Sequence, residues 1–189
     1  MNLKEMNLPN KLTLFRVVLI PFFVLFLLIN PASQALRIIA DIIFIVASLT
    51  DMLDGKIARK YHLVTNFGKF MDPLADKLLV CSAMILLINN GKGVSIPAWI
   101  VIIIISRELV ISGLRTLAAD QGIVIAAGWW GKCKTVSQMV MIIVLIISLD
   151  FVWYKILSRI LIFIAFALTL ISLIDYLIKN KKVFIEGEK

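Results

Sequence analysis

At 189 residues, 61% of them hydrophobic and only 17% charged, with a mean hydropathy of +0.99, the chain is far too apolar for a soluble domain, in which about a quarter of residues carry charge. Twenty Lys and Arg against twelve Asp and Glu leave a formal net charge of +8. No soluble module is left over to present that charge to nucleic acid, so the partner it suits is an anionic membrane surface.

In chain order, Met1 to Pro9 alternates polar and apolar residues and is expected to lie along the membrane surface, with Asn10 capping the first helix. Six apolar runs follow, at 11–30, 35–61, 68–90, 96–119, 129–149 and 154–178, each long enough to cross about 30 Å of hydrocarbon as a helix. The first is too long and lacks the small-residue cleavage site of a signal peptide, so it reads as a retained helix. Asn30-Pro31, Asn89 to Gly93 with Pro97, and Gly122 to Gly128 supply the turns between runs. No linker, low-complexity tract or repeat divides the chain. The predicted fold is all-α: a polytopic membrane protein with six transmembrane helices in one domain, 1–189.

Orientation follows from the cations. With six spans, sixteen of the twenty Lys and Arg fall on one side and only Arg37, Lys92, Lys155 and Arg159 on the other. The richer side faces the cytoplasm by the positive-inside rule, which places both termini there in a multi-pass protein of the cell membrane. Cys81 and Cys133 have neither metal-site nor disulfide spacing and read as packing residues; His62 reads as a solvated loop residue. Trp99, Trp129, Trp130, Trp153 and Tyr154 lie near span ends, where interface anchoring explains them.

The chemistry sits between Ser48 and Leu79. Asp51 and Asp54 are spaced i, i+3 at the end of the second helix; Asp72 and Asp76 are spaced i, i+4 near the start of the third. Each pair shares a helical face, and a short antiparallel connection would bring all four carboxylates together. Such a cluster is costly unless it is neutralised by cations. Oxygen-only ligands suit Mg²⁺, Mn²⁺ or Ca²⁺ rather than zinc, and paired hard cations are a means of stabilising charge during transfer at phosphorus. The bland reading has the aspartates capping helix ends or pairing with Arg59, Lys69 and Lys77. Four acids in two helical pairs at one level of the membrane make it the weaker one.

Asp51-x2-Asp54-Gly55-x2-Ala58-Arg59-x8-Gly68-x3-Asp72-x3-Asp76 resembles, without a departure, the signature of the CDP-alcohol phosphatidyltransferase family. The resemblance implies a six-helix fold acting as a homodimer, with its active site open to the cytoplasm and two divalent ions, Mg²⁺ or Mn²⁺, among the four aspartates. It further implies that Asp76 is the base toward the acceptor hydroxyl, while also able to touch metal, and that Gly55, Ala58, Arg59 and Gly68 belong to the CDP-diacylglycerol site.

The aspartates do not select the acceptor, which in this family ranges over glycerol 3-phosphate, serine, inositol or its phosphate, choline, ethanolamine and phosphatidylglycerol. Arg107 and Arg115 in the fourth run, and Lys132 and Lys134 opening the fifth, are expensive at membrane depth unless paired or facing a polar cavity. They suit an anionic acceptor. The alternative pairs the arginines with Glu108 or Asp120 and lets the lysines reach lipid phosphates. The segments around Asn10, Thr13 and Arg16, around Arg107-Glu108 and Gly113-Leu114-Arg115, and around Gly131-Lys132 and Lys134-Thr135 resemble those of family members whose acceptor is glycerol 3-phosphate. By that resemblance Asn10, Thr13 and Arg16 assist the CDP group, and Arg107, Arg115, Lys132 and Lys134 bind the acceptor's phosphate. The competing classes are a cation-coupled transporter, whose carboxylates would lie nearer mid-bilayer, and a membrane prenyltransferase, whose aspartate spacing differs.

Overall fold

The computed structural model describes residues 7–61, 65–120, 125 and 128–180; for 52–60, 66, 67, 69, 70 and 120 it describes the backbone alone. Six α-helices run through the described residues: α1 (Leu8–Ile29), α2 (Gln34–Lys60), α3 (Asn66–Leu86), α4 (Ala98–Asp120), α5 (Trp129–Ile147) and α6 (Val152–Lys179). A 3₁₀ turn, Leu87–Asn89, tightens the end of α3. Every expected span is a helix. Three of them, α1, α5 and α6, are long and apolar enough to cross a membrane by length and composition. The others are of similar length but interrupted by charge: Arg37, Asp41 and Asp51 in α2, Asp72, Asp76 and Lys77 in α3, Arg107, Glu108 and Arg115 in α4. The helices that carry the signature aspartates, α2 and α3, are thus among those whose apolar signal is diluted.

The first helix starts earlier than expected. Pro9 fits a first helical turn, where its missing N–H has no partner to lose, so the helix extends upstream of it. Asn7, not Asn10, is the cap, its side chain accepting the Asn10 N–H at 3.2 Å. Asn10 is thereby inside α1, and the expected surface segment shortens; residues 1–6 lie outside the described residues.

The core is built where helices meet through small side chains. α1 packs on α2 and α3, α5 on α6, and α2 on α5. Ala40, Ala47, Ala83 and Ala165 are fully buried at these contacts, allowing close approach in the way small residues do between membrane helices. Phe23 and Phe44, also fully buried, pack as tilted rings 5.8 Å apart between α1 and α2. Outward-facing apolar residues line the helices, among them Phe22, Ile42, Ile102, Val136 and Phe163.

Polar residues gather at the two ends of the bundle. At one, Arg37 is buried and donates five hydrogen bonds of 2.6–2.8 Å, to the carbonyls of Pro31, Asn90, Leu145 and Ile146 and to Oδ1 of Asn90. It ties the ends of α1, α3 and α5 together by their unpaired backbone groups. Gly91 sits beside this knot with φ +66, and a Cβ there would come within 2.5 Å of Pro31 Cβ, so both backbone and space demand glycine. The aspartates lie at the opposite end.

Candidate active site

The site draws on all six helices. On α3, Thr65 caps the helix by accepting the Gly68 N–H at 3.0 Å, and its hydroxyl donates to Oδ1 of Asn10 at 2.8 Å, locking the start of α3 against α1. One turn into α1, Thr13 donates to Oδ1 of Asp72 at 2.5 Å. A further turn along, the fully buried Arg16 donates to Oδ1 of Asp51 at 2.6 Å, which anchors α2. Asn10, Thr13 and Arg16 thus follow i, i+3, i+6 along α1 and hold the start of α3 and two of the carboxylates. Gly68 leaves room here: a Cβ on it would lie 3.2 Å from Asn10 Oδ1, 3.3 Å from Thr65 Oγ1 and 3.6 Å from Asp72 Oδ2.

Asp51 is close enough to Asp72 and to Asp76 for their negative charges to repel. Asp54, Gly55, Ala58 and Arg59 continue α2 by backbone, and their side chains lie outside the described residues. Among the described residues no three acidic, histidine or cysteine side chains close on one point. Asp51 is drawn to Arg16 and Asp72 to Thr13, while Oδ2 of Asp72 accepts from no described residue.

Asp76, near Asp51, also lines a pocket of about 30 Å³ together with Lys77, Val80, Cys81, Glu108, Lys134, Thr135 and Gln138. Of the four cations that stand out in the sequence, Lys134 lines this pocket, and Arg107 joins it through Glu108. Glu108 accepts a close hydrogen bond from the Lys134 ammonium and a second from Arg107 at 3.2 Å. Lys134 and Arg107 are both buried, which makes this a shielded, charge-assisted cluster. Arg107 also donates to Ser172 Oγ on α6 at 2.5 Å, and its Nε is buried without a partner. Arg115 lies 5.7 Å from the centre of the Tyr176 ring, a cation–π arrangement, and again its Nε is buried and unpaired. Lys132, two residues from Lys134, is exposed on another face of α5 and does not join the cluster.

The pairing of Arg107 with Glu108, set out above as an alternative to a phosphate site, is therefore present, but as part of a cavity rather than as a closed surface pair. Three contributions had no place in the sequence reading: Glu108 as a bridge between α4 and α5, and Ser172 and Tyr176 on α6. The signal was there in the polar stripe Thr169, Ser172 and Tyr176, all buried, at i, i+3, i+7 of an otherwise apolar helix. Cys81, read as packing, lines the pocket as a free, half-buried thiol.

A bundle of long apolar helices with the signature aspartates and the Lys134–Glu108–Arg107 cluster gathered at one end defines a membrane protein built around a polar site. The family model for CDP-alcohol phosphatidyltransferase matches residues 6–171, and the chain belongs to that family. Among its relatives is the CDP-diacylglycerol--glycerol-3-phosphate 3-phosphatidyltransferase of Bacillus subtilis, 46% identical over 151 residues, 75% of this chain and 77% of the relative. The proteins of the same name from Haemophilus influenzae and Escherichia coli K12 are 42% and 41% identical over 177 residues, covering 92% of this chain and 92% and 94% of theirs.

Proposed function

We propose that the chain transfers the phosphatidyl group of CDP-diacylglycerol to glycerol 3-phosphate, giving phosphatidylglycerol phosphate and CMP, in phospholipid biosynthesis. The observation that carries this reading is the pocket that Asp76 of the signature lines with Lys134 and Glu108, the latter also paired with Arg107 behind it: a proton acceptor beside cations of a kind that hold phosphate. The names of the relatives favour the same acceptor over serine, inositol phosphate or phosphatidylglycerol, and favour transfer over cation-coupled transport.

The donor set fits divalent metal. It is all oxygen, its carboxylates repel one another, Oδ2 of Asp72 has no described partner, and Gly68 keeps a side chain out of the space beside that oxygen. Asp51, Asp54, Asp72 and Asp76 would hold two ions, Mg²⁺ or Mn²⁺, which when bound supply charge neutralisation at the phosphoryl oxygens. Asn10, Thr13 and Arg16, with Gly55, Ala58, Arg59 and Gly68, form the side toward CDP-diacylglycerol. Thr13 and Arg16 do so by fixing Asp72 and Asp51.

Arg107, Arg115 and Lys134 take the acceptor's phosphate, Arg107 and Lys134 by exchanging Glu108 for it, with Lys132 at the rim. Asp76 accepts the proton of the acceptor hydroxyl. The oxygen forms its bond to the lipid-side phosphorus as the bond from that phosphorus to the CMP oxygen breaks, and CMP departs with the electron pair. The chain works as a homodimer in the cell membrane, crossing it six times, with this end of the bundle and both termini in the cytoplasm.

The test is to incubate purified protein with labelled glycerol 3-phosphate, CDP-diacylglycerol and Mg²⁺ or Mn²⁺. Label should enter the lipid phase as CMP appears. Label staying in water while serine or inositol phosphate is incorporated would refute the acceptor, and no CMP release with any acceptor would refute the reaction.

A further inference from the structure

At the end of the bundle remote from the aspartates, the outer face of α6 carries an open groove of about 470 Å³ lined by Ile156, Arg159, Ile160, Phe163, Ile164 and Ala167. These positions form one helical stripe, and the opposite face of α6, with Ser158, Ile162, Ala165 and Thr169, is the one buried. The stripe is apolar except for a single cation. Arg159 is exposed and pairs with no acid among the described residues. The nearby Asp150 is already shared by Lys92 at 3.8 Å and Lys155 at 3.5 Å.

The dimensions match one leaflet of a bilayer. From Ile156 to Ala167 the helix rises about 16 Å, roughly half of a 30 Å hydrocarbon core. Arg159 lies near the mouth, about 10 Å along the axis from the start of α6 at Val152. A guanidinium at that level, facing lipid, is stabilised by an anion that itself belongs at the interface. A second copy of α6 is a poor occupant, because a two-fold axis normal to the membrane would set Arg159 against its own equivalent. We propose that this groove is a binding site for an anionic phospholipid in the leaflet opposite the aspartates, with an acyl chain along the stripe and the headgroup phosphate on Arg159. The proposal rests on α6 spanning the membrane and is independent of the acceptor assigned above.

Trp153, 82% exposed, lies at i, i+3 and i, i+7 to Ile156 and Ile160 and therefore reports on the mouth of the groove. With Trp99, Trp129 and Trp130 replaced by Phe, the full chain is placed in nanodiscs of phosphatidylcholine containing a minor fraction of brominated phosphatidylglycerol or brominated phosphatidylcholine. The anionic quencher should be enriched about fivefold at Trp153, the factor that one cation at a membrane surface contributes, and Arg159→Gln should abolish the difference. Native mass spectrometry of the chain with its tryptophans intact gives a second reading: Arg159→Gln should retain one phosphatidylglycerol fewer while turnover of CDP-diacylglycerol is unchanged. Equal quenching by both lipids, or a preference that survives Arg159→Gln, would overturn the site. So would a disulfide between two copies of Ile164→Cys, which would mean that a second chain covers the stripe. Quenching by neither lipid would overturn the placement of α6 itself, a failure separate from that of the acceptor assay.

Discussion

Thr13 on α1 donates a 2.5 Å hydrogen bond to Asp72 on α3, 59 residues away in sequence, and so fixes one carboxylate of the signature from a helix outside it. The hydroxyl also reaches the carbonyl of Pro9 at 3.1 Å, which holds its rotamer. Thr13→Val keeps the shape and the helix but removes the one hydroxyl proton that the two acceptors share. Outer groups that orient a carboxylate are worth about 10- to 100-fold in metal affinity or activity, so the variant should need more Mg²⁺ or Mn²⁺ for half-maximal turnover by a factor in that range. A metal titration of CMP release decides it. An unchanged metal requirement would make Thr13 a contact of the lipid nucleotide alone.

Glu108 neutralises two buried cations, and its loss should be felt first as instability. With Glu108→Gln, Arg107 and Lys134 lose the carboxylate they share, and Asp76 is the acid left in the pocket with Lys134; breaking a buried pair of this kind costs about 3 kcal/mol or more. The thermal midpoint of the purified protein should fall. Inorganic phosphate should then raise that midpoint more in the variant than in the parent chain, because an anion binds the state in which the cations are unpaired. Equal stabilisation of the two proteins by phosphate would mean that the cluster only braces α4 against α5.

The sequence was informative where one helix carries its own signal. The expected run at 129–149 is α5, Trp129–Ile147, and the two extra residues at its end belong to a cap in which Ser148 adopts a left-handed conformation with φ 46. The run at 68–90 stops being α-helical at Leu86 because the backbone tightens into a 3₁₀ turn before Asn90, whose side chain is committed to Arg37 and to the Val94 carbonyl. The signature aspartates were found by spacing along α2 and α3. The Lys134–Glu108 pair was not, since its members are 26 residues apart and meet only when α4 and α5 pack. Ser172 and Tyr176 were hidden for the same reason: a hydroxyl in an apolar helix says nothing about which neighbour it will face until the crossing is known. The sequence alone allows either Asn7 or Asn10 as the cap, because polar residues stand on both sides of Pro9, and the place of the proline in the first turn makes it Asn7.

Arg37 should behave as a purely structural cation. Its guanidinium satisfies four backbone carbonyls and the Asn90 side chain at the end of the bundle far from Asp76. Arg37→Met would strip a donor from each of those acceptors, leaving only the Leu145 carbonyl a second one, from Asn90 Nδ2, at about 1–3 kcal/mol for each one left unpaired before relaxation. Expression and thermal midpoint should drop sharply, whereas CMP release per folded molecule should stay near the parent value. A turnover defect exceeding the loss of folded protein would connect this end of the bundle to the chemistry.

Asp76 is the sharpest test of the reaction because it belongs at once to the aspartate group and to the cationic pocket. Asp76→Asn preserves volume and one acceptor oxygen but removes the base. Loss of a general base costs about 10²- to 10⁴-fold, so turnover should fall by that much while CDP-diacylglycerol still binds, as followed by calorimetry in detergent. The control is excess Mn²⁺. If raising the metal restores turnover, the carboxylate serves chiefly as a metal ligand; if turnover stays low at saturating metal and saturating glycerol 3-phosphate, the missing element is the proton acceptor. Near-parent turnover under ordinary conditions would remove Asp76 from both roles and shift the search for the base to Glu108, the other carboxylate lining the same pocket.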